Sequence, residues 1–110
     1  MNTAQKGFVY YGTAGGNIKI GHSMNPGSRA AQHRQGWPDY QLLCAHPGDR
    51  LEEQKMHMKF RHLLTEIQEW FLPGPDLLKH IVQVARGEYE PYIAPVEPAL
   101  PYGVPTTVNF

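Results

Sequence analysis

The spacing of apolar and polar residues near the start of the chain predicts a β-hairpin. Residues 7–13 and 17–21 are rich in β-branched and aromatic side chains. Between them stands Gly15-Gly16, a pair that tolerates the positive φ angles of a two-residue hairpin turn. In that register Tyr10 lies opposite Gly21. A three-residue loop would shift the pairing, so the predicted grouping of side chains depends on this turn.

The two faces of the predicted hairpin differ in character, because alternate residues of a strand point to opposite sides of a sheet. One face carries an ordinary half-buried set, Val9, Tyr11, Thr13, Ile18 and Ile20. The other face carries Phe8, Tyr10, Gly12, Lys19 and Gly21. Tyr10 and Lys19 are diagonal neighbours on this second face, and the two glycines leave open surface beside them. We therefore expect the chemistry of the protein on this face.

The rest of the pattern predicts three helices and a third strand. Asn25 is a good N-cap for a helix over residues 26–35. The short apolar run 40–46 lies between turn residues and predicts the strand. The other helices are expected at residues 49–64 and 76–86. The predicted fold class is α+β, with a small three-stranded antiparallel sheet flanked by about three helices.

The predicted helix over residues 49–64 places a carboxylate among apolar side chains. Its apolar arc contains Met56, Phe60, Leu63 and Leu64, and Glu53 falls within the same arc. Because a buried, unpaired charge costs several kcal/mol, Glu53 needs a metal ion, an Arg or Lys, or a wet cleft as its partner. Glu52 and Lys59 are expected to be solvated.

The chain divides into a domain over residues 1–87 and a tail over residues 88–110. Five prolines among the 23 tail residues preclude a helix and favour extended backbone. Several tail residues are aromatic or aliphatic, so we expect the tail to lie on the body or on a partner chain.

The formal net charge of zero hides an uneven distribution. Residues 88–110 contain three Glu and no base, which leaves ten Lys and Arg against seven Asp and Glu in residues 1–87. The body is therefore mildly basic and its tail mildly acidic. This distribution permits a nucleic-acid partner without demanding one.

Cysteine and histidine usage argues against a structural metal site. The single cysteine, Cys44, excludes an internal disulfide and every multi-cysteine zinc pattern. His46, His62 and His80 share no regular spacing, so a histidine zinc site is not expected. No signal peptide or membrane-spanning run is evident, so we expect a soluble, cytoplasmic protein of a bacterium or phage-infected host, with no membrane partner.

Several short motifs, in order and spacing, resemble the GIY-YIG nuclease family, in particular its small phage and bacterial branch. They are Phe8-Val9-Tyr10, Lys19-Ile20-Gly21, Arg29, Glu53 on a helix, and Glu69-Trp70-Phe71, over residues 7–72. Phe8 stands where the family's name has glycine, and Lys19 where it has its second tyrosine. Restriction-type members share such a lysine and a histidine three residues later, as His22 is here. The Asn that many members carry after the metal-binding Glu has no clear match.

The resemblance implies a metal-dependent endonuclease or phosphodiesterase that hydrolyses DNA. By similarity, Tyr10 would act as general base beside Lys19, and Arg29 would clamp the phosphate. His22 would donate to a phosphate oxygen or relay a proton, and Glu53 would hold Mg²⁺ or Mn²⁺.

Other residues on the first helix extend this set. His33 shares a helix face with Arg29, and His33 and Arg34 are candidate substrate contacts. DNA is favoured over RNA as the partner.

Simpler interpretations stay open from the sequence. Tyr10 and Lys19 could be ordinary strand residues, and a buried ion pair with Arg29 would satisfy Glu53 without a metal. The chain could also be a nuclease-fold protein that no longer cuts, such as a phage inhibitor or binding module. In a third hypothesis, residues 88–110 build a homodimer of an active nuclease.

Overall fold

The computed structural model describes residues 7–91. The strands are β1 (Phe8–Ala14), β2 (Asn17–Ser23), β3 (Gln41–Pro47) and β4 (Trp70–Phe71). The helices are α1 (Pro26–Gly36), α2 (Arg50–Lys59) and α3 (Pro75–Ala85), and a 3₁₀ turn covers Arg61–Leu63. The strands form an antiparallel sheet in the order β3-β1-β2-β4, which confirms the α+β class.

The hairpin of β1 and β2 has the predicted turn and register. Gly15 and Gly16 have φ angles of 60° and 83°, which glycine adopts at low cost. Tyr10 lies opposite Gly21, and Gly12 lies opposite Lys19. The two-residue turn therefore puts Tyr10 and Lys19 on one face, as the pattern required.

The prediction of three strands was wrong, because the described residues contain a fourth. Trp70 and Phe71 form β4, which pairs with Lys19 and Ile18 at the outer edge of β2. Two residues are too few for a strand pattern to be recognised from the sequence. Both side chains are buried, so they anchor this segment to the sheet.

Two separate clusters of apolar side chains pack on the sheet. The larger lies between the sheet and helices α2 and α3, and contains Val9, Tyr11, Ile18, Ile20, Met56, Phe60, Phe71, Leu77, Ile81 and Val84. The smaller contains Ala14, Ala30, Tyr40 and Trp70. Ala30 belongs to α1, so this helix covers the face of the sheet that carries Tyr10 and Lys19. The sheet therefore separates the main core from the candidate site.

The second helix is shorter and differently buried than predicted. The helix α2 ends at Lys59, and a 3₁₀ turn replaces the end of the predicted helix. Glu52 was expected to be solvated but is only 3% exposed. Its carboxylate accepts a hydrogen bond from the Tyr89 hydroxyl at 2.8 Å. The pattern of α2 alone could not reveal this, because Tyr89 is distant in sequence.

Two remaining predictions concern the ends of the chain and membranes. Beyond Pro91, the tail and its suggested role in a homodimer lie outside the described residues. Within residues 7–91, no helix has the length and apolar character needed to cross a bilayer.

Candidate active site

Helix α1 brings two of the predicted site residues to Tyr10. Asn25 caps the helix by accepting a hydrogen bond from the Ser28 backbone N–H at 3.1 Å, and Pro26 occupies its first turn. Arg29 and His33 follow, one helical turn apart and on one side of the helix. The His33 Nε2 atom lies 2.8 Å from the Tyr10 hydroxyl oxygen.

The contacts of Tyr10 define where its proton lies. The Arg29 guanidinium, which can only donate, also interacts with the Tyr10 hydroxyl. The phenol proton is then available to Nε2 of His33, which lies 2.8 Å away. Burial and the nearby cations Lys19 and Arg29 lower the pKa of His33, which keeps the imidazole neutral and able to accept that proton. The Tyr10 phenol therefore has a base, His33, on one side and a cation, Arg29, on the other.

Two glycines make room for aromatic rings at this site. A Cβ atom at Gly21 would lie 2.5 Å from the Tyr10 hydroxyl oxygen. A Cβ atom at Gly12 would lie 2.0 Å from the hydroxyl oxygen of Tyr40, a fully buried residue that precedes β3. The Tyr40 ring also packs against His33, with ring centroids 4.9 Å apart. These glycines are required by close approach of a side chain rather than by backbone conformation.

The Lys19 ammonium is held by a carboxylate that sequence reasoning did not assign. Its Nζ atom lies 2.7 Å from Oε1 of Glu69, in the residue that precedes β4. Glu69 has a φ angle of 72°, in the left-handed region that is strained for a residue with a side chain. Its backbone oxygen accepts a hydrogen bond from the Ile20 N–H at 3.1 Å. Backbone strain of this kind clusters at active sites and ligand clamps.

Glu53 lies on α2, which packs on the face of the sheet opposite Tyr10, and the same helix contacts the outer edge of β2. Strand β4 pairs only as far as Lys19, so the next part of this edge is open to α2. There the Nε2 atom of His57 donates to the Ile20 carbonyl oxygen at 2.9 Å. The same Nε2 atom lies 3.6 Å from the Glu53 carboxylate. His57 thus fixes the helix and the carboxylate against β2.

Electrostatic interactions connect the residues of the site. The charges of Arg29, Glu69 and Glu53 act on the Tyr10 phenol, and those of His57, Glu69, Arg50 and His22 act on Glu53. Lys19 and Arg29 act in turn on His33, so each of the predicted residues except Arg34 interacts electrostatically with at least one other of the set.

Arg34 is further from the phenol than its neighbour His33. Its Nε atom donates to the Tyr40 backbone oxygen at 3.2 Å, and the side chain is exposed. It lies beside the site without a contact to Tyr10.

Burial opposes the ionisation of both acids in the site. Burial raises the pKa of Tyr10 to about 12, although the Arg29 guanidinium acts in the opposite direction. Burial also raises the pKa of Glu53, with His57 opposing that shift. Additional positive charge would reverse both shifts, since it favours phenolate and carboxylate. The site is therefore poised to be changed electrostatically by a bound cation.

The carboxylates suit a hard cation better than a zinc ion. Residues 7–91 contain no group of three or more His, Cys, Asp or Glu placed to hold a metal. Magnesium needs only one or two protein carboxylates, because it retains several waters and binds substrate phosphate. Glu53 fits such a site, with Glu69 close enough to interact with it electrostatically. This donor set is compatible with Mg²⁺ or Mn²⁺.

A second polar cluster lies on the opposite face of the sheet. The Tyr11 hydroxyl oxygen lies 2.9 Å from Nε2 of His46 and 2.8 Å from Nε2 of His80. The sequence showed no spacing that linked these histidines, because they lie on β3 and α3 and come together only in the folded chain, with ring centroids 6.1 Å apart. The Tyr89 ring packs against both, with centroids 4.8 Å and 4.7 Å apart. This cluster is a buried connection between elements and is separate from the candidate site.

Four residues that contribute to the site were not among its predicted catalytic, substrate-binding or metal-binding residues. In the sequence, Glu69 was only an acidic residue within a motif. Tyr40 was only the first residue of an apolar run. His57 contacts β2 from α2, and Trp70 is buried with the Lys19 ammonium 5.7 Å from its ring centre. These contacts join residues far apart in the sequence, so no local pattern reveals them.

The chain was compared with known proteins in three ways. Neither a scan against protein-family models nor searches of curated proteins and of solved structures found a match. The function must therefore be argued from the geometry of the site.

Proposed function

We propose that the protein is a hydrolase that cleaves phosphodiester bonds. More specifically, we propose a GIY-YIG-type endonuclease that acts on DNA with Mg²⁺ or Mn²⁺. One observation carries this proposal: the Tyr10 phenol lies between the neutral His33 imidazole and the Arg29 guanidinium, in the electrostatic field of Glu53. A base, a cation and a carboxylate around one phenol are the groups that phosphodiester hydrolysis needs.

In this mechanism Tyr10 and His33 together remove a proton from water. The water oxygen attacks phosphorus as its proton moves to the Tyr10 oxygen and the phenol proton moves to Nε2 of His33. The bond from phosphorus to the leaving sugar oxygen breaks, and that oxygen takes a proton from solvent or from His22. Because the phenol gains and loses a proton in the same step, a full phenolate with its high pKa is not required.

The cations of the site act on the phosphate. Arg29 would neutralise charge that develops on the phosphoryl oxygens, in the fork geometry that matches phosphate. Lys19 would add a point charge once its ammonium is shared between Glu69 and the phosphate. A Mg²⁺ ion at Glu53 would supply further charge neutralisation and acidify a bound water.

The distribution of charge supports a nucleic-acid substrate. Lys19, Arg29, Arg34, His22 and His33 lie at or beside one site, in a chain whose first 87 residues carry the excess of positive charge. Such clustering attracts the phosphate backbone whatever the base sequence.

Cleavage of plasmid and oligonucleotide DNA tests the proposal. We expect products in Mg²⁺ or Mn²⁺ that disappear in EDTA, in Tyr10→Phe and in Glu53→Gln. Glu66→Gln is the matched control, since Glu66 is an exposed glutamate outside the site. No cleavage of DNA, RNA or cyclic nucleotides would refute the enzyme. Undiminished cleavage by Glu53→Gln would refute the role of Glu53 in holding the metal ion. DNA binding without cleavage would instead favour the non-cutting alternative.

A further inference from the structure

A half-exposed tryptophan lies immediately beside the candidate site. Trp37 follows the last residue of α1 and is 40% exposed. Its ring packs on that of Trp70, with centroids 4.9 Å apart and planes inclined by 48°. Trp70 is opposite Lys19 in the sheet, and the Lys19 ammonium lies 5.7 Å from the Trp70 ring centre. A single ring therefore separates the exposed indole from a cation of the site.

Burial of the core does not require an exposed indole at this position. Trp70 is only 4% exposed and packs with Ala14, Ala30 and Tyr40. Tryptophan adds a large, rigid aromatic surface, of the kind that stacks on nucleobases in proteins that bind single strands.

Two basic residues lie near this pair of aromatic rings: Arg34, and Lys19, whose ammonium is paired with Glu69. Arg34 lies one helical turn before Trp37, uses its Nε atom for the Tyr40 carbonyl oxygen, and is otherwise exposed. Lys19 lies beyond Trp70. An aromatic platform between positive groups matches the alternation of base and phosphate along a nucleic-acid strand.

We infer that Trp37 stacks on an unpaired base of a DNA strand whose neighbouring phosphate is held at Lys19 and Arg29. This inference rests on the proposed function and adds a substrate class, namely single-stranded or locally unpaired DNA. In an intact duplex both faces of a base are covered by its neighbours, so stacking on Trp37 would require unpairing at a cost of a few kcal/mol. Intact duplex DNA is accordingly the poorer ligand.

Binding can be measured apart from cleavage. The Glu53→Gln protein in EDTA is titrated against a fluorescently labelled single-stranded oligonucleotide and against its duplex, with anisotropy as the readout. In this background we expect Trp37→Leu to weaken single-strand binding roughly 5- to 150-fold, the usual value of one stacked base. Trp37→Phe should keep part of the affinity. Duplex binding should change less than twofold in both variants.

Three controls make the result specific. Leu51→Ala removes an exposed apolar side chain of α2, away from the site, and should not affect binding. Thermal unfolding of Trp37→Leu and Trp37→Phe checks that Trp70 is still covered. An oligonucleotide with an abasic position should lose affinity for the protein with Trp37 and not for Trp37→Leu, because a base that is absent cannot be stacked.

The possible outcomes test the stacking inference separately from the nuclease proposal. Equal weakening of single-strand and duplex binding, or equal affinity of Trp37→Leu and Trp37→Phe, would overturn the stacking inference and leave the nuclease proposal standing. If Trp37→Leu binds more weakly because it unfolds, the melting data will show this. The abasic oligonucleotide, tested with the protein that has Trp37, then decides alone. Failure of the protein with Trp37 to bind single-stranded DNA would overturn the inference whether or not duplex DNA is cleaved.

Discussion

The Tyr10 hydroxyl and the Nε2 atom of His33 lie 2.8 Å apart although 23 positions separate the two residues in sequence. This contact joins the middle of β1 to the last turn of α1. It forms because Asn25 starts the helix at a fixed point after the hairpin, and because Gly21 leaves space for the phenol ring. A proton-accepting nitrogen is thus placed at a buried phenol that also interacts with the Arg29 guanidinium.

The first prediction concerns the pH dependence of cleavage by His33→Ala. In the unchanged protein the rate should rise with pH as His33 loses its proton and then level off, because the lowered pKa of His33 keeps it neutral at higher pH. In His33→Ala the rate should be roughly 10²- to 10⁴-fold lower at pH 7. It should keep rising with pH, since the Tyr10 phenol, with its pKa of about 12, must then ionise by itself.

Rates measured on one oligonucleotide from pH 5.5 to 9.5 check this prediction. Arg34→Ala is a useful comparison, because it changes the same helix turn without a contact to the phenol. A plateau that persists in His33→Ala would contradict the assigned role of His33.

The second prediction concerns the space at Gly21. A methyl group there would lie 2.5 Å from the Tyr10 hydroxyl oxygen, so Gly21→Ala must displace the phenol from His33. We expect loss of cleavage and destabilisation by about 1–3 kcal/mol, the usual cost of overpacking. Gly36→Ala is the matched control, because no atom lies within 4 Å of the added methyl group. Urea unfolding and a cleavage assay measure the two effects, and an active Gly21→Ala protein would disprove the close fit.

The third prediction concerns the strained backbone at Glu69. Asn tolerates the left-handed region better than other residues with side chains, whereas Gln does not. Both substitutions remove the charge that holds Lys19. We therefore expect Glu69→Asn to be more stable than Glu69→Gln by about 1 kcal/mol in urea unfolding. Equal stability of the two variants would mean that the φ of 72° stores no strain.

Local patterns predicted much of the fold because they encode local structure. The turn at Gly15-Gly16, the N-cap Asn25 and the apolar run of β3 each act within a few residues, and each element appeared where expected. The fourth strand was not predicted, because the two residues of β4 become a strand only by pairing with Ile18 and Lys19.

The sequence predicted part of the candidate site in the same way, from local periodicity. Tyr10 and Lys19 follow from the period of the strand, and Arg29 and His33 from the period of the helix. The role of Glu69 does not follow from a local period, since its contact with Lys19 spans 50 positions and depends on a strained turn. Glu52 was misplaced for the same reason: its burial depends on Tyr89, which lies 37 positions away.

The last prediction concerns acid stability, which depends on the cluster around Tyr11. The Nδ1 atom of His46 lies 3.1 Å from the Pro47 carbonyl oxygen and must donate to it, so its neutral Nε2 atom accepts the Tyr11 proton. The Tyr11 oxygen then accepts from Nε2 of His80. This arrangement leaves the Nδ1 atom of His80 buried without a hydrogen-bond partner among residues 7–91. A proton on that atom would be buried with no acceptor.

The sign of the effect follows from the pKa of His80. Burial, with Lys59 and His46, lowers this pKa from 6.5 to about 4 in the folded protein. The unfolded chain therefore takes up a proton between these values and the folded chain does not, so stability is full above pH 6.5 and falls as the pH is lowered toward 4. The shift corresponds to a loss of roughly 3 kcal/mol. The pKa of His46 is also lowered by burial, which adds to the loss in the same direction.

Urea unfolding between pH 8 and pH 4 measures this dependence. His80→Gln retains a polar side chain that does not titrate, so its free energy of unfolding should vary less with pH even if the variant is less stable throughout. His62→Gln is the matched control, because His62 is exposed and pairs with Asp76 at the surface. The deciding quantity is the change in the free energy of unfolding with pH. If this change is as steep for His80→Gln as for His62→Gln, the buried imidazole of His80 is not the acid-sensitive group.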